Sequence, residues 1–262
     1  MAEQPLGGMT IVVTRARPQA PALARPLEEA GARVVVAPMI EFRPRDDSPE
    51  VQDALARLPE YDALLFTSAN AVTFFQRALQ RWGESLDPAM EIYAIGPATA
   101  RRVEDCGWQP MPLPAAYRAE GVAEAILSRR RGGRLLLPRA ARAREILPER
   151  LTEAGIEVTI LPIYETRPAR EGKEILHPLL WQGRIDLLTF TSGSAVTSLA
   201  EAFRNPPDPQ ALAALWRTPA ACLGPVTAQV ARRNGFHVSV EPGEATIPAL
   251  VDAIVETHRR KR

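Results

Sequence analysis

Short apolar runs rich in valine, isoleucine and leucine recur along the chain, each followed by a polar turn and then by apolar positions that return every three or four residues. This alternation marks parallel βα units, because a strand covered on both faces reads as a continuous apolar run. It predicts strands near 10–14, 33–37, 62–67, 91–95 and 109–113, and again near 134–138, 157–161, 185–190, 219–223 and 237–240. Gly31, Gly107, Gly155 and Gly235 end helices just ahead of the next strand.

The pattern repeats. Residues 11–44 align with residues 135–168, and residues 62–79 with 186–203, sharing an Asp, Phe-Thr-Ser and Ala-Val-Thr. After a proline-rich insertion near Asn205–Gln210, IGPATA (95–100) matches LGPVTA (223–228). The expectation is an α/β chain of two flavodoxin-like doubly wound parallel-sheet domains, five strands each, arising by internal duplication. One feature breaks the alternation. After its second strand each half carries PMIEFRPRDD (38–47) or PIYETRPARE (162–171), proline-bounded β-formers that read as extended segments crossing between domains. The spacing leaves open whether each half folds contiguously or exchanges its first βαβ unit with the other.

Composition narrows the class. The chain has 262 residues, 46% apolar and 24% charged, as in an ordinary globular protein long enough for two domains. No apolar run approaches the roughly 20 residues that span a bilayer, and Met1–Gly8 lacks a signal-peptide apolar region, so a soluble, cytoplasmic protein without membrane partners is expected. With 32 basic against 31 acidic residues, no global field draws the chain to nucleic acid, and any electropositive site must be local. Lys173 and Lys261 are the only lysines; the arginine excess reads as coding bias. Cys106 and Cys222 are isolated, and His177, His237 and His258 lie far apart, which gives neither a disulfide framework nor a zinc spacing.

Open parallel sheets bind ligands at the carboxyl ends of their strands. Four turns there stand out. Thr67-Ser68-Ala69-Asn70 and Thr191-Ser192-Gly193-Ser194 place small polar residues where a helix begins; Gly96-Pro97-Ala98-Thr99 and Gly224-Pro225-Val226-Thr227 place proline at the first helical position. Each offers backbone N–H groups and the positive end of a helix dipole to an anion, although simple capping explains the hydroxyl residues equally well. Arg15 and Arg139 follow the first strand of each half and are the better placed arginines for clamping carboxylates. Arg142, Arg144, Arg129–Arg131 and the tail from His258 read as solvated. There is no G-x-G-x-x-G, Walker loop or G-x-S-x-G elbow. Glu41 and Glu165 are repeat partners, better read as solvent-facing strand residues than as an acid/base pair. Tyr164 has Ile40 as its partner, so the phenol is not demanded by the shared architecture; it is a candidate proton donor, although packing is the more routine role of a lone aromatic in such a segment.

Together, the duplicated halves, Phe-Thr-Ser followed by Ala-Val, the G-P-x-T-A turn, Arg144-Glu145-Ile146-Leu147-Pro148 and the I-Y-E-T segment resemble the uroporphyrinogen-III synthase family over nearly the whole chain. The resemblance implies two flavodoxin-like domains, 1–38 plus 168–262 and 40–165, joined by a two-stranded connector near 38–47 and 162–171 that permits hinge motion. It implies a monomeric, cofactor-free lyase of tetrapyrrole (heme) biosynthesis that closes hydroxymethylbilane to uroporphyrinogen III with loss of water and inversion of the last ring. Tyr164 would then aid departure of the hydroxyl, and Thr67, Ser68, Thr99, Ser192 and Thr227 would line the cleft. Arg15, Asn70, Arg139, Thr191 and Ser194 join them as candidate substrate-binding residues. The expected partners are the bilane and, transiently, the deaminase that forms it. The competing expectation is a two-domain hinged protein that captures a polycarboxylate without turning it over.

Overall fold

The computed structural model describes residues 4–112, 119–130, 132–142 and 146–260. Arg131, Arg144, Glu145 and the last two residues of the basic tail lie outside them. The chain forms two compact units, Met1–Glu41 with Arg167–Arg262, and Phe42–Thr166. Each is built on one five-stranded sheet flanked by helices.

In the first unit β1 (Thr10–Val13), α1 (Pro21–Glu29) and β2 (Arg33–Val36) form one βαβ unit. The remaining elements are α7 (Glu171–Trp181), β8 (Leu187–Phe190), α8 (Gly193–Arg204), α9 (Pro209–Arg217), β9 (Pro219–Cys222), α10 (Pro225–Arg233), β10 (His237–Val240) and α11 (Ile247–Arg259). The sheet order is β10-β9-β8-β1-β2, parallel throughout. Counted along the unit this is the 2-1-3-4-5 order of doubly wound folds, with a switch point between β1 and β8. The strands are short and apolar because both faces are covered. On one face Ile11, Val13 and Leu187 pack with Leu23 and Leu27 of α1 and Leu250 and Ile254 of α11. Thr14 and Thr189, both fully buried, lace β1 to β8: the Thr14 hydroxyl donates to the Thr189 carbonyl at 2.7 Å, and the Thr189 hydroxyl to the Val12 carbonyl at 2.8 Å.

The second unit contains β3 (Ile40–Pro44), α2 (Pro49–Ala56), β4 (Ala63–Phe66), α3 (Ala69–Trp82), β5 (Glu91–Ala94), α4 (Pro97–Asp105), α5 (Ala119–Arg129), β6 (Arg134–Ala140), α6 (Ile146–Glu153) and β7 (Glu157–Pro168). Its sheet order is β3-β7-β6-β4-β5. Alternation along β4 divides the core: Leu64 and Phe66 join Val72, Phe75 and Leu136 on one face, and Ala63 and Leu65 join Tyr93, Leu135 and Leu137 on the other. The chain passes between units within β3 and within β7, which are neighbours in this sheet.

The parallel α/β class expected from the pattern is what forms, and nine of the ten expected strands have a counterpart. The strand expected at 109–113 does not form among its described residues. Only a single bridge, Ile92 to Pro110, is made, with the Met111 N–H on the Ile92 carbonyl. Pro110 and Pro112 have no N–H to donate, so a ladder cannot extend there. The fifth place in that sheet is taken by β3, from the segment read as connector. Arg130 is also not the solvated helix end expected. Its side chain is 17% exposed and bonds Glu91 at 3.0 Å, with Asp62 at 3.5 Å, tying the end of α5 to the start of β5. No helix among the described residues is long and apolar enough to cross a membrane.

Candidate functional site

In the second unit the candidate residues gather where β4 and β6 end, beside an interior stretch of β7. Phe66 closes β4, Thr67 is exposed, and Ser68 caps α3, its Oγ accepting the Ala71 N–H at 3.2 Å. The capping reading of Ser68 therefore holds, and Asn70 sits in the first turn above it. Helix α3 follows because Ala71, Val72, Phe75, Ala78 and Leu79 recur at helical spacing and are buried, and because Gly83 takes the left-handed conformation (φ 70°) that ends it.

Tyr164 reaches this place through an irregularity in β7. Arg139 of β6 pairs with Pro162, but Ala140 pairs with Tyr164, so Ile163 is skipped. Pro162 has no N–H for the ladder, a natural place for a bulge. A one-residue slip reverses the face on which a side chain emerges. Tyr164 accordingly shares one apolar cluster with Leu161 and Ile163 instead of alternating with Ile163. Its ring is 6% exposed, stacks on Phe74 (4.9 Å between centroids, 22°) and meets Phe42 edge-on (5.7 Å, 83°). Its hydroxyl lies 3.5 Å from Ser68 Oγ. The packing role of this tyrosine is thus present together with a polar tip aimed at the start of α3.

Arg139 lies inside β6 rather than in the turn after it, and is 6% exposed. Thr99, in the first turn of α4, is 4% exposed; this helix starts at Gly96, which supplies no side-chain cap. Glu165 is no free strand carboxylate: it faces Arg45 at 3.4 Å, and Arg45 also holds Glu50 at 2.7 Å.

In the first unit Ser192 caps α8 through the Ala195 N–H (3.3 Å) and lies 3.1 Å from the exposed Ser194 hydroxyl; Thr191 is partly buried just before it. Thr227, in the first turn of α10, is 8% exposed, and that helix also starts at an uncapped glycine, Gly224. Arg15 follows β1. Its Nε and Nη1 are buried with no hydrogen-bond partner among the described residues, and burial draws its pKa down. Arg142 is exposed, as read from the sequence.

The thiols are poor nucleophiles here. Burial pushes Cys222 up to about 12 and raises Cys106 as well, which keeps both protonated near neutrality. Among the described residues no group of three or more His, Cys, Asp or Glu is placed to hold a metal ion. The aromatic partners of Tyr164, Phe42 and Phe74, went unremarked in the sequence, although Phe74 belongs to the same repeat block as Ser68 and Phe42 to the proline-bounded segment.

Comparisons with known proteins agree on one family. The family profile described as "Uroporphyrinogen-III synthase HemD" matches residues 21–252. A uroporphyrinogen-III synthase of Synechococcus elongatus is 30% identical over 262 residues, covering 99% of both chains. One of Chlorobaculum parvum is 29% identical, covering 94% of this chain and 98% of its own. Among solved structures, a mutant uroporphyrinogen III synthase of Thermus thermophilus shares the fold with a TM-score of 0.67 at 22% identity, covering 97% of this chain and all of that one. A uroporphyrinogen-III synthetase of Helicobacter pylori gives 0.60 at 18% identity over 95% and 98%. With a profile spanning most of its length and a full-length relative at this identity, the chain belongs to the uroporphyrinogen-III synthase family.

Proposed function

We propose that the protein closes linear hydroxymethylbilane to uroporphyrinogen III, releasing water and inverting the last pyrrole ring. The observation that carries the reading is the buried Tyr164 phenol, held by Phe42 and Phe74 with its oxygen 3.5 Å from Ser68 at the carboxyl edge of a parallel sheet. The pyrrole nitrogen of the substrate pushes out the hydroxymethyl oxygen, so the protein need supply only a proton at that oxygen and a shape that selects the inverted closure. Tyr164 supplies the proton, its O–H donating as the C–O bond breaks and water leaves. Attack by the substituted α carbon of the last ring forms a spiro centre, its older bond to the neighbouring bridge carbon breaks and re-forms at that ring's free α carbon, and the proton lost there restores the phenol.

The substrate carries many carboxylates. The starts of α3 and α4 at one sheet edge, and of α8 and α10 at the other, offer N–H groups and dipole ends to such anions, with Thr67, Ser68, Asn70, Thr99, Thr191, Ser192, Ser194 and Thr227 around them. Arg139, buried near the end of β6, adds positive charge at that sheet edge. A net charge of +1 suits this arrangement, in which local donors take the place of a basic surface. Because the bilane also closes unaided to the uninverted isomer, orientation carries much of the rate advantage. The reading requires no cofactor and places a monomer in the cytoplasm beside the bilane-forming deaminase.

The test couples the protein to such a deaminase and identifies the oxidised product by chromatography. Uroporphyrin III is the expected product. Uroporphyrin I alone would leave the binding-only reading, capture of a polycarboxylate without turnover, in its place.

A further inference from the structure

Arg15 leaves β1 where the order of the first unit's sheet reverses, with β2 on one side of β1 and β8 on the other. Loops from strands on either side of such a switch point run to opposite faces of the sheet and leave a crevice between them. The residues around Arg15 have their bonds assigned. Thr14 Oγ1 donates to Thr189, the Val13 carbonyl takes the Ala37 N–H, and the Thr14 carbonyl takes the Met39 N–H. Two residues on, Arg17 turns outward and pairs with Glu171 on the surface. Arg15 does neither. Its Nε and Nη1 are withdrawn from solvent and meet no acceptor among the described residues.

A guanidinium is never discharged near neutrality, so burying its N–H groups without acceptors costs stability that the fold does not recover within itself. A solvent-facing rotamer, like that of Arg17, would avoid the cost. A partly exposed cation with two dry, unpaired nitrogens at a sheet switch point is suited to an acceptor that arrives from outside.

We infer that Arg15 is the receptor for a carboxylate of the polycarboxylate substrate, completing its hydrogen bonds only when substrate is bound. The inference rests on the activity proposed above. It separates Arg15 from its repeat partner Arg139, which lies within a strand. It also assigns Arg15 to substrate affinity rather than to the chemical step: the cost of desolvating Nε and Nη1 is met before binding, and the new pair forms alike in bound substrate and transition state.

The experiment compares wild type with Arg15→Met and Arg15→Gln in three measurements: equilibrium binding of uroporphyrin III, steady-state kinetics in the deaminase-coupled assay, and melting temperature without ligand. Both variants should bind uroporphyrin III at least about tenfold more weakly and raise KM by a similar factor, as expected for loss of a charge-assisted pair. kcat should stay within about twofold, the product should remain isomer III, and the ligand-free melting temperature should be unchanged or higher, since buried N–H groups without acceptors have been removed. Unchanged affinity for uroporphyrin III in either variant would overturn the inference, as would a lowered melting temperature in both, which would make Arg15 a structural residue. The isomer formed by wild type tests the activity itself, so failure of that reading registers separately from failure of the carboxylate receptor.

Discussion

Tyr164 Oη stands 3.5 Å from Ser68 Oγ, and the same Ser68 oxygen accepts the Ala71 N–H that begins α3. One hydroxyl thus serves as helix cap and as neighbour of the proposed proton donor. Tyr164→Phe retains the ring and its stacking on Phe74, so it should lower kcat by about a hundredfold, the low end of what a positioned acid contributes. Its unfolding free energy, read from urea titration, should stay within about 1 kcal/mol of wild type. Turnover equal to wild type would remove the phenol from the mechanism and leave Tyr164 as packing alone.

Ser68→Ala should act on both links. Loss of the cap should cost about 1 kcal/mol of stability, read from urea unfolding. Turnover should fall less than in Tyr164→Phe, because the phenol keeps its own O–H. A larger loss of kcat than in the tyrosine variant would instead make Ser68 the principal proton donor.

Helix α3 is held from the other side by Asp46, whose side chain is only 5% exposed and bonds Arg77 Nε at 2.6 Å, while its backbone carbonyl accepts from Trp82 Nε1 at 2.8 Å. Arg77 is 56% exposed and can turn to water, so the loss on Asp46→Asn is the charge-assisted bond, about 2 kcal/mol. Denaturant unfolding should show a lower midpoint with an unchanged slope. Because α3 carries Ser68 and Phe74, kcat should fall modestly with it.

Acid should unlock a different helix. Asp208 caps α9 through the Ala211 N–H at 2.9 Å and holds His177 Nε2 at 2.9 Å. The Ala211 N–H first, and the His177 ring after it, keep this carboxyl below its ordinary value of 3.8. A carboxylate whose folded pKa is depressed contributes stability that is fully present above the unfolded pKa and is lost as pH falls through the folded one. Asp208→Asn should therefore melt below wild type near neutrality, and the difference should close as pH drops from about 5 to below the ordinary carboxylate range. A gap independent of pH would contradict this linkage.

What the sequence displays and what it conceals divide along physical lines. Nine of the ten strands are visible because burial on two faces demands unbroken apolar runs, while β3 hides in a proline-bounded segment with a charged interior, and the Ser68 and Ser192 caps show as hydroxyls placed just before an apolar helical pattern. Residues 109–113 mislead because apolar character survives there while Pro110 and Pro112 remove the N–H groups a ladder needs. The bulge that skips Ile163 depends on which strand pairs with β7, a tertiary fact, and with it goes the direction in which Tyr164 points. Arg15 and Arg130 look alike as letters. The difference between them, one orphaned and one bound to Glu91, appears only when burial and partners are known.

Gly172 offers the sharpest steric test. It is a buried residue in the first turn of α7, where a Cβ would fall well inside the contact distance of the Pro38 carbonyl oxygen and of Met39 Sδ. The Ala169 N–H bonds the Met39 carbonyl at 3.0 Å, so the chain before α7 and the chain after β2 are fastened together just where the methyl would intrude. The sulfur can swing aside, since methionine is flexible, but the Pro38 oxygen is backbone in a locked segment. Helix propensity alone would favour alanine by about 1 kcal/mol. Overpacking should outweigh it, and Gly172→Ala should lose about 1–3 kcal/mol in urea unfolding. A variant more stable than wild type would mean that propensity wins and that α7 can retreat from Pro38 at little cost.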